Sequence, residues 1–243
     1  MNIKGGYTTY GQDIGILMMD TVFPRLVGDI GNARSFSVPV RYHVVRDVNG
    51  ATLTGQNAHK ELLKPFVRAA QELEATGCRA ITTSCSFLGG FQQALAQSVN
   101  IPVFTSTLLL APMLHAMLKT DRKIGILSEC PKLLGEEAFR QAGWSAADIP
   151  VCVSGPAPGS EFSRLVIGDN TEGNVELLRA CIAEMTGRHM QENPDTGALL
   201  LECTNFAPFT RMIAKIAGVP VFGINQLIEY MDACINPREY DNG

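Results

Sequence analysis

AITTSCSFLGGFQQALAQSVNIPVF, at residues 80–104, returns 118 positions later as ALLLECTNFAPFTRMIAKIAGVPVF, at residues 198–222. The two segments align without a gap. Each contains a cysteine, Cys85 or Cys203, that is followed 17 residues later by Pro-Val-Phe. So many identities in one gapless alignment indicate that the chain contains a duplication.

A shorter repeat lies upstream of each of these segments. The tetrapeptide IGIL at residues 14–17 recurs at residues 124–127, so the order IGIL, cysteine, Pro-Val-Phe occurs twice. Solenoids repeat with periods of 20 to 50 residues, and this repeat is far longer. We therefore predict two copies of one lobe, at residues 1–118 and 119–243. Whether the C-terminal helix completes the first lobe is left open.

Short apolar runs alternate with helical patterns in both copies. Residues 14–19 and 80–84 are apolar enough for buried parallel strands. Residues 57–76 place apolar side chains at helical spacing, and Gly77 follows where a C-terminal cap belongs. Alternating strands and helices build a parallel sheet with helices on both faces. The predicted fold is α/β, with two pseudo-symmetric, doubly wound lobes and an active site in the cleft between them.

Composition and cysteine usage exclude several classes of protein. Hydrophobic residues make up 46% of the chain and charged residues 18%, as in soluble globular proteins, and the net charge of −4 does not suit nucleic acid. No apolar run is long enough for a membrane span, and the N-terminus lacks the layout of a signal peptide. The seven cysteines form no CxxC pair, which argues against disulfides and zinc and favours a reducing cytoplasm.

The repeat predicts where the two cysteines lie in the fold. Cys85 and Cys203 each lie where a strand runs out toward a helix, and ligands of open α/β sheets bind at these carboxyl ends. A pseudo-twofold axis between the lobes would make the two thiols face each other across one ligand. Backbone N–H groups at the following helix starts could hold an anion and lower the thiol pKa.

The chain resembles the aspartate/glutamate/hydantoin racemase superfamily along nearly its whole length. The motifs that carry the resemblance are the IGIL strand, TTSCSF at residues 82–87 and LLECTNF at residues 200–206. The resemblance implies that Cys85 and Cys203 are catalytic and work without pyridoxal phosphate or a metal. One thiolate removes the α-proton from one face of the substrate, and the other cysteine returns a proton to the opposite face.

Two positions depart from the pattern of the glutamate racemases in that superfamily. Those enzymes carry Asp-Ser after the first strand, where this chain has Asp20-Thr21. They also carry Cys-Thr-His at the second cysteine, where this chain has Asn205 in place of the histidine. The second difference weakens the case for glutamate as the substrate.

The predicted substrate-binding residues lie beside the two strand ends or in the loop after the first strand. They are Asp20, Thr21, Arg25, Thr83, Ser84, Ser86, Thr204 and Asn205. Arg25 is a candidate clamp for a carboxylate. Asp29, in the same loop, is interpreted as a turn former. Whether Glu202 or Cys130 takes part is left open.

The predicted function is a racemase or epimerase of a small amino acid or related carboxylate, with aspartate or glutamate as the first guess. A hydantoin-type racemase and a dicarboxylate isomerase or decarboxylase remain alternatives, as does a two-lobed binding protein without chemistry. The expected partner is a small-molecule substrate, without nucleic acid or membrane. The protein is expected in the cytoplasm, and a homodimer is an open alternative.

Overall fold

Eight parallel strands form two separate sheets in the structure, a computed structural model that describes residues 3–46, 48 and 58–240. The first sheet contains β1 (Ile14–Met19), β2 (Val40–Val45), β3 (Ala80–Thr83) and β4 (Val103–Phe104). The second contains β5 (Lys123–Leu127), β6 (Val151–Ser154), β7 (Thr196–Leu201) and β8 (Val221–Phe222). The strand orders are β2-β1-β3-β4 and β6-β5-β7-β8, so the second sheet repeats the topology of the first. The predicted α/β fold with two similar lobes is confirmed.

Helices follow the strands in both lobes. Those of the first half are α1 (Ala58–Ala75), α2 (Gln92–Ser98) and α3 (Ala111–Met117). Those of the second half are α4 (Glu136–Gln141), α5 (Val175–Glu192), α6 (Thr210–Ala217) and α7 (Ile224–Ile235). None of these helices, over the ranges that the structure describes, is long and apolar enough to cross a membrane.

The glycine of each IGIL strand lets a helix pack closely onto its sheet. A Cβ added at Gly15 would lie 2.9 Å from Cδ1 of Leu73 in α1. A Cβ added at Gly125 would overlap Nε2 of His189 in α5. The repeated tetrapeptide therefore serves the same packing contact in both lobes.

A 3-10 segment separates each cysteine from the α-helix that follows it. Cys85 is the extended residue before the segment Ser86–Phe91, and Cys203 precedes the segment Thr204–Phe209. Only then do α2 and α6 begin. The equivalence of these two connections places the two thiols at corresponding positions of the lobes.

The lobes exchange helices across their junction. Ile224, Leu227 and Ile228 of α7 pack in one core cluster with Ile14 and Phe104 of the first sheet. In the same way, Leu114 of α3 packs with residues of β5 and β7 in the second sheet. Each sheet therefore has one face covered by a helix from the other half of the chain. The domain boundary between residues 118 and 119 stays a prediction.

Candidate active site

The carboxyl ends of β3 and β7 meet at the junction of the two lobes. Cys85 lies two residues beyond the end of β3, and Cys203 lies two residues beyond the end of β7. The Thr204 hydroxyl donates a hydrogen bond to the Ser84 carbonyl at 2.7 Å. The chain neighbours of the two cysteines are thus in direct contact. The structure brings both predicted catalytic residues to one junction, and their catalytic roles stay predictions.

Cys203 is buried among acidic and amide side chains. Its side chain is 4% exposed, and its Sγ lies 3.0 Å from Oε2 of Glu129, to which the thiol donates. The Oδ1 atom of Asn205 lies 3.5 Å from the same Sγ. Glu129 is half-buried and comes two residues after the end of β5, at the same edge of the second sheet. The thiol therefore has a carboxylate within hydrogen-bond distance.

The surroundings of Cys203 favour its thiol form. Burial raises its pKa well above the ordinary thiol value, and the nearby charges of Glu129 and Glu202 raise the pKa further. The sequence had suggested that a helix start would lower the thiol pKa. At Cys203 that expectation is wrong, because loss of water and two neighbouring carboxylates act in the opposite direction.

Both glutamates have pKa values above the ordinary range. Burial raises the pKa of Glu129, while hydrogen bonding to Cys203 and the charge of Arg25 lower it. Burial and the charge of Glu129 raise the pKa of Glu202 to about 8, and a hydrogen bond with Ser128 opposes this. The Glu202 side chain, 1% exposed, is part of the cluster around Cys203 and contributes to its electrostatics.

The hydroxyl groups near Cys85 are bonded to the backbone. The Thr83 hydroxyl has two carbonyl oxygens within reach of its single proton, that of Thr105 at 2.8 Å and that of Cys85 at 3.0 Å. The Ser84 hydroxyl accepts a hydrogen bond from the Met19 N–H at 3.0 Å. Cys85 itself is half-buried, in contrast to the more deeply buried Cys203. In this structure these hydroxyls fix the end of β3, and their contact with a substrate stays a prediction.

A hydrogen-bonded chain runs from the loop after β1 to Cys203. The Arg25 guanidinium bonds the Thr21 hydroxyl at 2.7 Å and an oxygen of Asp29 at 2.9 Å. The other Asp29 oxygen accepts from the Asn205 amide at 2.8 Å, and Asn205 contacts the Cys203 thiol. Asp29 also accepts from a backbone N–H two residues on, at 2.7 Å, as a turn former does. It is 3% exposed, and it holds both Arg25 and Asn205 in place.

The other residues named from the sequence have surroundings of different kinds. An Asp20 oxygen lies 3.3 Å from Nη1 of Arg46, in an ion pair at the surface. The Ser86 side chain lies outside what the structure describes. Cys130 is half-buried and follows Glu129 in the chain. In the described part of the chain, no group of three or more His, Cys, Asp or Glu residues could hold a metal ion.

Glu129 is the residue of this site that sequence reasoning missed. It follows the apolar strand β5 as part of Ser128-Glu129-Cys130. The same kind of signal, polar residues directly after a buried strand, identified the region around Cys85. In the first lobe the matching position after IGIL is Met19, so the repeat itself gave no hint of a carboxylate.

Solved structures share this two-lobed arrangement. Unliganded arylmalonate decarboxylase superposes with a TM-score of 0.57 at 12% identity, covering 96% of this chain and 96% of that one. A glutamate racemase isoform from Bacillus anthracis gives 0.56 at 15% identity, covering 95% and 85%. Aspartate racemase from Picrophilus torridus gives 0.55 at 14% identity, covering 94% and 96%. The chain therefore has the two-lobed α/β fold of these decarboxylase and racemase structures. The resemblance inferred from the sequence motifs is confirmed at the level of this fold.

The relatives that are similar to this chain in sequence are named as lyases. A dimethylsulfoniopropionate lyase from Durusdinium sp. clade D is 28% identical over 213 residues, which cover 86% of this chain and 70% of the relative. Dimethylsulfoniopropionate lyase 7 from Emiliania huxleyi strain CCMP1516 is 24% identical over 234 residues, covering 93% and 68%. No protein-family model matches the chain.

Proposed function

We propose that this chain is a lyase acting on a small carboxylate that carries an onium group, with dimethylsulfoniopropionate as the substrate to test first. The observation that carries the proposal is the similarity to dimethylsulfoniopropionate lyases, at 28% identity over 86% of the chain for the Durusdinium protein. The racemase and decarboxylase structures are only 12 to 15% identical and support the fold alone. The expected class is therefore a lyase, in place of the isomerase expected from the motifs.

The charges around Cys203 support an onium substrate. Three acidic side chains, Glu129, Glu202 and Asp29, lie in this cluster, and Arg25 is ion-paired with Asp29. Glu202, with a pKa of about 8, keeps its proton near neutral pH, and Asp29 is already paired with Arg25, so Glu129 is the carboxyl of this cluster whose charge acts on a substrate. A dicarboxylate would bring a second negative charge toward Glu129 at a buried site, where charge repulsion is strong. A sulfonium group brings a positive charge, which such a site attracts. The acidic cluster thus favours a sulfonium carboxylate over aspartate or glutamate.

The proposed reaction is a β-elimination. A base removes a proton from the carbon next to the carboxylate. The electron pair of the broken C–H bond then forms the double bond to the neighbouring carbon. The bond from that carbon to sulfur breaks, and its electron pair leaves with the sulfur as neutral dimethyl sulfide. The other product is acrylate, and the abstracted proton stays on the base. Such a weakly acidic C–H bond requires a positioned base and stabilisation of the developing negative charge.

The unequal surroundings of the two thiols support a reaction with one base. Inversion of a stereocentre runs in both directions and suits two thiols in similar environments. Here Cys203 is 4% exposed and donates a hydrogen bond to Glu129, whereas Cys85 is only half-buried. We assign the role of base to Cys203. Cys85 and the hydroxyls near it then face the substrate carboxylate.

The test is product formation from dimethylsulfoniopropionate. Purified protein is incubated with this compound, dimethyl sulfide is measured in the headspace, and acrylate is measured by proton NMR. We expect both products in equal amounts. Cys203→Ser should lower the rate by about 10²–10⁴-fold, because a serine hydroxyl is a far weaker acid than a thiol and does not supply the base.

Cys181→Ser is the matched control for the loss of a thiol. Cys181 is half-buried in α5, away from the strand ends, so this variant should keep the wild-type rate. If wild-type protein releases no dimethyl sulfide, the lyase proposal fails. If Cys203→Ser retains full turnover, Cys203 is not the base.

An amino-acid racemase or epimerase is the second candidate, favoured by the equivalent positions of Cys85 and Cys203 at two strand ends. Incubation of L-aspartate and L-glutamate with the protein in D₂O distinguishes the two. A racemase incorporates deuterium at the α-carbon and loses this activity with either cysteine replaced by serine. The lyase proposal expects no such incorporation.

The binding partners, the cellular location and the oligomeric state of the protein are also part of the proposal. A small carboxylate is the only partner that the proposed chemistry requires. The cytoplasmic location rests on the free thiols, because a reducing compartment keeps them unoxidised. Assembly as a homodimer rests on the family resemblance, and size-exclusion chromatography with light scattering would test it.

A further inference from the structure

The contact between Cys203 and Glu129 shows how the proposed base could be formed. The thiol Sγ and Oε2 of Glu129 are 3.0 Å apart, closer than the 3.5 Å between the same Sγ and Oδ1 of Asn205. Of these two acceptors, only the carboxylate can take a proton and keep it. The geometry is that of a thiol poised to transfer its proton.

Cys203 is poorly placed to ionise by releasing its proton to solvent. A thiolate is the reactive form of cysteine, and burial disfavours it. At 4% exposure, with Glu129 and Glu202 nearby, release of the proton to water would add another negative charge to a buried acidic cluster. A group inside the site must therefore accept the proton if Cys203 is to act near neutral pH.

Transfer to Glu129 avoids this cost because it leaves the charge of the pair unchanged. Before transfer the pair consists of a thiol and a carboxylate. After transfer it consists of a thiolate and a carboxylic acid, again with one negative charge. The proton that Glu129 has taken must leave it before the next turnover, which restores the thiol and carboxylate pair.

We propose that Glu129 is the residue that accepts the Cys203 proton and so generates the catalytic thiolate. The thiol proton moves to Oε2 of Glu129, and the thiolate then takes the proton from the substrate carbon. After the products leave, Glu129 releases its proton to water and the starting pair is restored. This inference rests on the proposed function, since it requires Cys203 to be the base.

The pH dependence of turnover tests this role. In wild-type protein the pair becomes active when Glu129 loses its proton, so kcat/KM should rise with pH through the pKa of that carboxyl, which burial raises above its ordinary value. Glu129→Gln keeps the shape and an acceptor oxygen but cannot take a proton. We expect its kcat/KM to fall by about 10²–10³-fold near pH 7 and to recover partly at higher pH, where solvent hydroxide ionises the thiol.

Two further variants keep the test decisive. Glu129→Asp retains a carboxyl group and should restore a measurable rate with a pH profile shaped like that of the wild type. Glu137→Gln removes an exposed carboxyl group on α4 and should change neither rate nor profile. If Glu129→Gln folds poorly by circular dichroism, the rescue by Glu129→Asp still decides the matter, since a purely structural role would not preserve the shape of the profile.

The outcomes separate this inference from the proposed function. Wild-type protein that releases no dimethyl sulfide sinks the proposed function. Wild-type turnover that is lost in Cys203→Ser but unchanged in rate and profile in Glu129→Gln sinks only the role of Glu129. A loss in Glu129→Gln with an acid limb displaced to higher pH is the result we expect.

Discussion

Among single residues, Glu202 makes the most distinctive contribution to stability. Its carboxyl has a pKa of about 8 in the folded protein, against an ordinary value of 4.5, because burial and the charge of Glu129 disfavour ionisation. Between these two pH values the folded chain holds a proton that the unfolded chain has released. The contribution of Glu202 to stability is therefore complete at pH values below about 4.5 and is lost as pH rises toward 8.

Glu202→Gln should remove this pH dependence, because glutamine has the same shape and does not ionise. Near pH 5 the variant should match the wild type to within about 1 kcal/mol, and near pH 8 it should be more stable, by an amount on the order of 4 kcal/mol. Urea unfolding at the two pH values measures the difference. Glu229→Gln, at an exposed position of α7, is the control and should show no such change. An equal difference at both pH values would contradict the argument.

The sequence predicts some residues of the site and misses others for identifiable reasons. Cys85 and Cys203 are found because a duplication repeats both the residue and its place at a strand end. Glu129 is missed because its counterpart in the first copy is a methionine. The role of Asp29 depends on its contact with Asn205, 176 residues away in the chain, and no local pattern specifies such a distant partner.

At the scale of elements, close packing of α5 on β5 depends on Gly125. Gly125 lies inside strand β5, and the need for glycine comes from the close approach of the His189 ring to the place of a Cβ. Gly125→Ala should destabilise the protein by about 1–3 kcal/mol or more, because the helix or the histidine must shift. Thermal unfolding followed by circular dichroism measures this effect.

Gly187→Ala is the matched control, because Gly187 lies in α5 two residues before His189. A Cβ there would meet no atom within 4 Å beyond the helix itself, so alanine should stabilise the helix by up to about 1 kcal/mol. If both alanine variants unfold at the same temperature, close approach at Gly125 does not limit the packing.

The order of strands and helices follows from the sequence, but the local helix type does not. The strand–helix alternation of the sequence is confirmed at α2 and α3, but each of these helices is preceded by a 3-10 segment. Over four to six residues, the periods of 3.0 and 3.6 residues per turn place apolar side chains on nearly the same face. A pattern this short cannot distinguish the two, so the start of the α-helix is set by tertiary contacts.

At the scale of the whole molecule, the exchanged helices tie the two lobes together. An apolar helix face such as that of α7 fits either sheet, so the sequence alone leaves open which sheet it covers. The structure places it on the first sheet, with Ile228 fully buried. The loop after β1 also reaches from the first lobe into the second, because Phe23 packs in the core of the second lobe. Each lobe therefore depends on the other to cover its apolar surface.

We expect the two lobes to unfold together. The only tryptophan, Trp144, reports on the second lobe, where it stacks on Phe139 with ring centroids 4.3 Å apart. Ile228→Ala acts on the first sheet and should cost about 2–5 kcal/mol, which lowers the unfolding temperature by roughly 5–15 °C. Tryptophan fluorescence and far-UV circular dichroism should shift by the same amount. Tyr230→Ala, on the exposed side of α7, should leave both unchanged. If the circular dichroism of Ile228→Ala instead shows two steps and its fluorescence transition stays at the wild-type temperature, the lobes unfold independently. The exchanged helices then do not couple them.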